Sequence, residues 1–427
     1  MFGAFHVAGP LDQSDASAGH MRAMGEKLQR AITKQIEQVG RDQLHSRIMQ
    51  LPLADPRREA WTAQDRLSTQ WVTAWPTEDA ALDGFGGQEF GEVFATYLGR
   101  ESPAVRSQAG RVIPCTHGST PAPGRTCDPW GQQLGLATLP GGDQTACHDA
   151  IGGFFFELLR SAGGCFTSMV LEPRNLFTSL LPLAVMQGRE KPGVVPDASM
   201  AVPLPNAATA RGARRGAPLP TKTLLFDIKT VHGAGAMYRC ARARDEQRGA
   251  VDERAHKVWS NYVGHARRLD GLYSQAGTTP IENRLRSFTQ VRGLCFGQYG
   301  EASEDVHALI HLAASTMART RWGALGARSE AEARGIFTQM LMRRLGVVVA
   351  REFARYRLRR EPFIGTSRAS VAARLQRGAP GMGGGGPVER RIPADAFYWA
   401  QQHQHAADVH FGIAGAAVRG RAVRVRV

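Results

Sequence analysis

The sequence predicts a mixed α/β fold in which a small central sheet is flanked by helices, with further helical regions at the N- and C-terminal sides. Between residues 148 and 322, helix-like and strand-like segments alternate in the order helix, strand, strand, helix, strand, helix. Before this stretch, apolar residues recur at helical spacing from residue 17 to about residue 50. At its end, two more helices are predicted at about residues 303–321 and 329–360.

Residues 1–110 are predicted to form a helical N-terminal region. The first helix is indicated by apolar side chains spaced about one helical turn apart. These side chains are Met21, Met24, Leu28, Ile32, Ile36, Leu44 and Ile48. A second, more polar helix is predicted from Arg57 to Trp75.

Residues 111–147 are predicted to form a loop-rich segment. From Pro114 to Thr145 the composition shifts to Gly, Pro, Thr and Cys, and Gly and Pro favour turns over regular elements. A compact unit is expected to begin after this segment.

Residues 148–300 are predicted to form the core that contains the sheet. A helix is expected from His148 to Ala162, because Asp149 falls in its first turn and the pair Gly163-Gly164 can end it. The other predicted elements are extended segments at about 194–202 and 223–231, a long helical stretch at 239–276 and a short strand at 291–296.

Two segments rich in Arg lie outside these elements. The stretch from Pro203 to Pro220 separates the two extended segments and is predicted to be a mobile basic hairpin tip. Its candidate nucleic-acid-binding residues are Arg211, Arg214 and Arg215, with a solvated loop as the alternative. After C-terminal helices at 301–361, a Gly run and an Arg-rich end predict a flexible tail over residues 362–427.

The net charge favours a polyanionic partner. The 427 residues include 53 Lys and Arg against 38 Asp and Glu, which gives a formal charge of +15. Such an excess favours DNA, or alternatively RNA, through neutralisation of phosphates. An anionic membrane surface and a purely compositional origin of the charge are the remaining explanations, since Arg, Ala and Gly are abundant throughout.

Cysteine usage and hydropathy predict a soluble intracellular protein without a membrane partner. Six Cys are scattered along a long chain whose first residues do not resemble a signal peptide, so a reducing compartment is expected. No run approaches the roughly 18 apolar residues that a membrane span needs. The oligomeric state is left open.

The most informative segment is the apolar run from Leu224 to Val231, which contains an acid and a lysine. Side chains alternate along a strand, so Asp227 and Lys229 are expected on one face and Phe226 and Ile228 on the other. Burying such charges is costly unless a counter-ion, a metal or a solvent-filled cleft lies beside them. An exposed edge-strand pair or a local salt bridge is the alternative.

A second acid, Asp197, follows Pro196 in the preceding extended segment. If the two segments are neighbouring strands, Asp197 and Asp227 offer hard oxygen ligands to Mg²⁺, and Lys229 can orient water or offset charge on a phosphate. Asp197 could instead simply begin a turn. A third acid is not fixed: Glu157 is a candidate catalytic residue on the preceding helix, and Glu172 is the alternative.

These residues resemble the PD-(D/E)XK nuclease superfamily. The motif is Pro196-Asp197, a 29-residue gap and Asp227-Ile228-Lys229. The upstream order resembles the C-terminal part of non-long-terminal-repeat retrotransposon proteins, where a Cys/His knuckle precedes a restriction-like endonuclease. In this chain the upstream motifs are, in order, Cys127-Asp128-Pro129-Trp130-Gly131, Gly141-Gly142-Asp143, Cys147-His148-Asp149-Ala150-Ile151 and Glu172-Pro173. The resemblance implies a restriction-endonuclease-like fold, cleavage of DNA and, for a functional protein, a nuclear location.

The knuckle departs from the family pattern. A zinc site needs four Cys or His ligands at compact spacing. The available set is Cys115, His117, Cys127 and His148, while Gln132-Gln133 and Thr138 stand where the family has a histidine and a cysteine. Either this set binds Zn²⁺ or the segment is a degenerate loop with ordinary Cys and His.

The sequence therefore predicts a Mg²⁺-dependent, endonuclease-like protein of retrotransposon origin that hydrolyses DNA phosphodiester bonds. Two alternatives from other classes are a non-catalytic basic nucleic-acid-binding remnant of such an element and a helical scaffold with compositional basicity. No Tyr-x-Asp-Asp motif of a reverse transcriptase is present.

Overall fold

The computed structural model describes residues 18–73, 84–117, 120–139, 142–188, 192–203 and 221–366. Within these ranges, the structure describes only the backbone of residues 18–26, 116–117, 120–123 and 203. The predicted basic hairpin tip, with Arg211, Arg214 and Arg215, and nearly all of the predicted tail lie outside the described residues. No helix in the described part of the chain is long and apolar enough to cross a membrane.

The described residues contain helices α1 to α11 and several short 3-10 turns. The helices are α1 Ala18–Met49, α2 Pro56–Ala63, α3 Gly87–Tyr97, α4 Gln132–Leu136, α5 Asp143–Arg160, α6 Leu183–Met186, α7 Ala241–Asp245, α8 Gly249–Tyr273, α9 Pro280–Ser287, α10 Glu304–Arg321 and α11 Glu330–Arg360. The 3-10 turns are Gln70–Thr73, Arg106–Gln108, Gly164–Ser168, Arg174–Phe177 and Glu361–Phe363.

The strands form two small sheets. Strands β1 Val112–His117 and β2 Thr120–Thr126 make an antiparallel pair. The central sheet has the order β3-β4-β5-β6 and comprises β3 Val170–Leu171, β4 Ala198–Pro203, β5 Thr221–Val231 and β6 Arg292–Gly297. The pairs β3–β4 and β4–β5 are antiparallel and β5–β6 is parallel. The predicted mixed α/β class and the small sheet flanked by helices are therefore confirmed.

The central sheet packs against helices on both faces. Phe226 and Ile228 of β5 are buried in the main core, which contains residues of α5, α10 and α11. Leu225 points the other way, into a second cluster with Val258 and Ile281 from α8 and α9. This alternation follows from the two-residue period of a strand, and it directs Asp227 and Lys229 toward the α8 side.

The helix predicted from Arg57 to Trp75 is wrong in its second half, because α2 ends at Ala63. Asp65 ends it: its carboxylate accepts hydrogen bonds from the backbone N–H groups of Leu67 and Ser68 at 2.8 and 2.9 Å. A short Asp side chain competes in this way with helical hydrogen bonds. The chain then turns inward and buries Leu67 completely.

The segment at 111–147 is more regular than its composition predicts, because it contains the β1–β2 hairpin, α4 and the start of α5. The two Pro residues of β2, Pro121 and Pro123, indicated a loop. Pro is nevertheless tolerated in a two-stranded sheet, where each strand has an unpaired edge.

The long helical stretch predicted at 239–276 is divided into α7 and α8. The break begins at Glu246, whose backbone is extended, and ends at Arg248, which has φ 65° and therefore cannot belong to a right-handed helix. Helix α9 and the two-residue strand β3 were not predicted; β3 is too short to produce a periodic pattern.

Candidate active site

Asp227 is buried in the middle of the molecule but is not left without a counter-charge. Its side chain is 2% exposed, and the Lys229 ammonium lies 2.5 Å from its Oδ2. The ammonium itself is partly accessible, with 31% of the Lys229 side chain exposed. The pair therefore runs from the interior toward solvent on one face of β5, as strand alternation predicts.

Tyr262 of α8 holds the other oxygen of the Asp227 carboxylate. Its hydroxyl donates to Asp227 Oδ1 at 2.8 Å. Burial, reinforced by the negative charges of Asp227 and Asp197, raises the pKa of Tyr262 well above its ordinary value of 10.0. Tyr262 therefore remains a hydrogen-bond donor at neutral pH, which fixes the orientation of the carboxylate.

Asp197 lies next to this pair because of the strand register. It immediately precedes β4, in which Ala198 pairs with Phe226, so the antiparallel register brings residue 197 beside residue 227. The Asp197 Oδ2 atom accepts a hydrogen bond from the Ile228 backbone N–H at 2.7 Å. The structure thus brings together Asp197, Asp227 and Lys229, the three residues that the motif singles out.

His148 also belongs to this site. Its Nε2 lies 3.1 Å from the Ile228 carbonyl oxygen and 3.4 Å from Asp197 Oδ2, and its Nδ1 lies 2.9 Å from Asp149 Oδ1. Burial lowers the pKa of His148, but the hydrogen bonds to Asp149 and Asp197 outweigh it and raise the pKa to about 9. His148 is therefore a cation at neutral pH.

The carboxylates of both candidates for a third acid lie within ion-pair distance of an arginine. Glu157, two and a half turns further along α5, pairs with Arg160, whose guanidinium lies 2.5 Å from its Oε1. The backbone N–H of Glu172 donates to the Asp197 carbonyl oxygen at 2.8 Å, whereas its carboxylate lies 4.0 Å from Arg174. Glu172 thus supports Asp197 through its main chain.

Of the four residues proposed for zinc, the three whose side chains the structure describes do not come together as a metal-binding group. Cys115 and Cys127 lie in an apolar cluster with Ile113 and Leu134. Burial, together with the charge of Asp128, raises the pKa of the Cys127 thiol to about 11. His148 instead contacts Ile228 and Asp197, and the His117 side chain is outside the description.

Across the described side chains, no group of three or more His, Cys, Asp or Glu residues is arranged to bind a metal ion. The zinc site accordingly stays a prediction without support from the geometry. The donor set of Asp197 and Asp227 does fit Mg²⁺ chemically, because Mg²⁺ is often held by one or two carboxylates and retains several waters.

The sequence missed His148 as a partner of the two acids. The resemblance places it in the candidate zinc set instead, because it matches the knuckle histidine at the start of a helix. The available signal was its position near the start of the helix that packs over β5, from which a polar side chain can reach the strand ends. The role of Tyr262 had no signal, because one Tyr in a helix 35 residues from its partner forms no motif.

Comparisons of the chain with protein-family models, with curated proteins and with solved structures give no match.

Proposed function

We propose that this protein is a Mg²⁺-dependent endonuclease of retrotransposon origin that hydrolyses DNA phosphodiester bonds. The observation that supports this most strongly is the convergence of Asp197, Asp227 and Lys229 at the junction of β4 and β5. Two acids and a lysine at one place match the metal-assisted chemistry that their motif implies.

The arrangement of elements also supports a restriction-endonuclease-like fold. Asp227 lies on β5 and Asp197 directly before its antiparallel neighbour β4, helix α5 precedes both acids, and helices α7 to α9 connect β5 to the parallel strand β6. Helices cover both faces of the sheet. Such a frame holds Asp227 on a buried strand and Asp197 directly before the paired strand, which suits a site that must keep its geometry.

In this proposal the oxygens of Asp197 and Asp227 hold Mg²⁺. When bound, Mg²⁺ supplies a Lewis acid and lowers the pKa of a coordinated water. The Lys229 ammonium, which is partly exposed, offsets negative charge on the phosphate that is attacked. Tyr262 keeps the Asp227 carboxylate oriented, and His148 anchors Asp197 to β5.

The non-catalytic alternative is favoured by one specific observation. Asp227 is almost completely buried and already paired with Lys229, while Asp197 lies beside the His148 cation. Each of these two acids is thus balanced by a neighbouring cation without any added ion. A protein that keeps this balance permanently would bind nucleic acid through its basic surface and cleave nothing.

A plasmid-nicking assay distinguishes the two functions. Wild-type protein is expected to convert supercoiled DNA to nicked or linear DNA with Mg²⁺, and EDTA is expected to stop the reaction. The Asp227→Asn variant should lose at least about a hundredfold in rate, because it removes a carboxylate charge while preserving side-chain shape.

The matched control is Asp305→Asn, which makes the same change in an acid that pairs with Arg292 at 3.1 Å instead of with a residue of the site. It should cleave like wild type. Circular dichroism and thermal melting must show that Asp227→Asn remains folded. Salt-sensitive DNA binding by a wild-type protein that never cleaves with Mg²⁺ or Mn²⁺ would establish the non-catalytic function instead.

A further inference from the structure

Helix α8 presents a row of polar side chains that begins at the paired acids and ends in solvent. Tyr262, His265 and Arg268 follow one another at three-residue intervals and therefore lie along one side of the helix. Tyr262 is buried against Asp227, His265 is half-buried and Arg268 is exposed.

His265 lies within electrostatic range of the site. Burial and the charge of Arg268 lower its pKa, while the Asp227 carboxylate raises that pKa and the Lys229 ammonium lowers it. The ring also faces the segment that leads into Asp197, since a Cβ placed on Gly193 would lie 2.7 Å from His265 Nδ1. His265 is thus enclosed between α8 and this segment.

The Arg268 guanidinium donates to His265 Nδ1, with an N···N distance of 2.5 Å. Because Nδ1 accepts this hydrogen bond, the proton of the neutral ring is on Nε2, which is left as a donor. Arg268 has no carboxylate within ion-pair distance in the part of the chain that the structure describes. Its neighbour Arg267 differs: it pairs with Glu282 at 2.9 Å.

We propose that His265 and Arg268 bind a phosphate of the DNA backbone adjacent to the one that is cleaved. This inference rests on the proposed function, since it assigns the side from which the DNA strand enters the site. Arg268 supplies an uncompensated charge and the His265 ring a directed N–H, so the two groups together fit a phosphate oxygen pair.

Binding of a short fluorescent DNA duplex, measured by anisotropy in EDTA over a range of salt concentrations, tests this without cleavage. Arg268→Ala is expected to weaken binding by about fivefold at low salt and to reduce the slope of log affinity against log salt by about 1. Arg267→Ala is the matched control, because it removes the same charge from the next residue. It should leave the slope at the wild-type value.

Gly193→Ala provides a second variant that changes no charge. Its added methyl group must displace the His265 ring and so break the contact with Arg268. We expect weaker DNA binding than wild type. Wild-type affinity in this variant would overturn the role of His265.

The outcomes separate this inference from the proposed function. If Arg268→Ala and Arg267→Ala bind DNA equally while the wild type cleaves, the inference is wrong and the proposed function stands. If the wild type binds with the expected difference between the variants but never cleaves, the proposed function is wrong and the phosphate site stands. A wild type that does not bind the duplex would overturn the phosphate site and leave the proposed function to the cleavage assay.

Discussion

The Asp227 carboxylate depends on two partners that reach it from different elements. Lys229 balances its charge from the same strand, and the Tyr262 hydroxyl satisfies its second oxygen from α8. A buried carboxylate that loses one such partner incurs a desolvation penalty that water cannot relieve. The stability of the folded protein therefore also depends on this site.

Removal of the Tyr262 hydroxyl tests this dependence. Tyr262→Phe should lower the free energy of unfolding by about 1–3 kcal/mol, because Asp227 Oδ1 loses its hydrogen bond in a buried environment. Tyr273→Phe makes the same change in an exposed residue of the same helix and should stay within about 0.5 kcal/mol of wild type. Urea unfolding measures both, and equal values for the two variants would contradict the assigned contact.

At the scale of elements, the position of β5 depends on close packing by α5. Gly152 of α5 lies against Ile228, and a Cβ at this position would approach Ile228 Cδ1 to 2.7 Å. Ile228 separates Asp227 from Lys229, and its backbone N–H and C=O contact Asp197 and His148. Helix and strand therefore set the site geometry together.

A matched pair of substitutions tests this packing. Gly152→Val should destabilise the protein by about 1–3 kcal/mol, because the branched side chain overpacks the core at Ile228. Gly153→Val places the same side chain where no atom lies within 4 Å of the new Cβ, and it should change stability by less than about 0.5 kcal/mol. Thermal melts of both proteins make the comparison, and a tolerated Gly152→Val would show that α5 does not constrain β5.

Long elements with strong periodicity could be predicted from the sequence, and local exceptions could not. Strand β5 and helices α1, α10 and α11 are close to their predicted ranges, because each contains an uninterrupted pattern. The end of α2 depends on one buried Asp, and the break before α8 depends on the backbone conformations of Glu246 and Arg248. Neither event leaves a periodic signal.

The residues of the site also divide into those that the sequence could predict and those that it could not. The acids and Lys229 belong to a motif that is local in sequence, so they could be proposed without a structure. Tyr262 and His148 reach the site only through the packing of α8 and α5 on the sheet. Contacts between residues distant in sequence are set by tertiary structure, and one sequence contains no pattern that specifies them.

At the scale of the whole molecule, a buried polar cluster joins the N-terminal region to the loops after β5 and β6. Glu59 of α2 accepts hydrogen bonds from the Tyr299 hydroxyl at 3.0 Å and the Ala234 N–H at 3.2 Å. Asp65 contacts His307 Nε2 at 2.7 Å. Buried networks of this kind are costly unless every member has a partner, so the N-terminal region is tied specifically to the core.

The same cluster predicts a pH dependence of stability. Glu301 is fully buried, and burial raises its pKa from 4.5 to about 8. Between these values the unfolded chain has released a proton that the folded protein retains, so stability falls as pH rises from 4.5 to 8.

Glu301→Gln removes this ionisation. The free energy of unfolding of the variant should therefore fall less steeply with pH than that of wild type, by on the order of 1.4 kcal/mol per pH unit within that window. Urea unfolding at a series of pH values measures the difference. Glu330→Gln, the same change in an exposed acid of α11, should retain the wild-type decline. A parallel decline in Glu301→Gln would mean that Glu301 does not cause it.

Whether Asp197, Asp227 and Lys229 form a cleavage centre can be measured by the single-turnover rate of DNA cleavage in Lys229→Met, together with its DNA affinity. The ammonium should act on the phosphate mainly in the transition state. We expect the rate with Mg²⁺ to fall by about a hundredfold or more, while affinity changes by less than about fivefold. Absence of cleavage by the wild type, or a Lys229→Met variant that cleaves at the wild-type rate, would contradict the account.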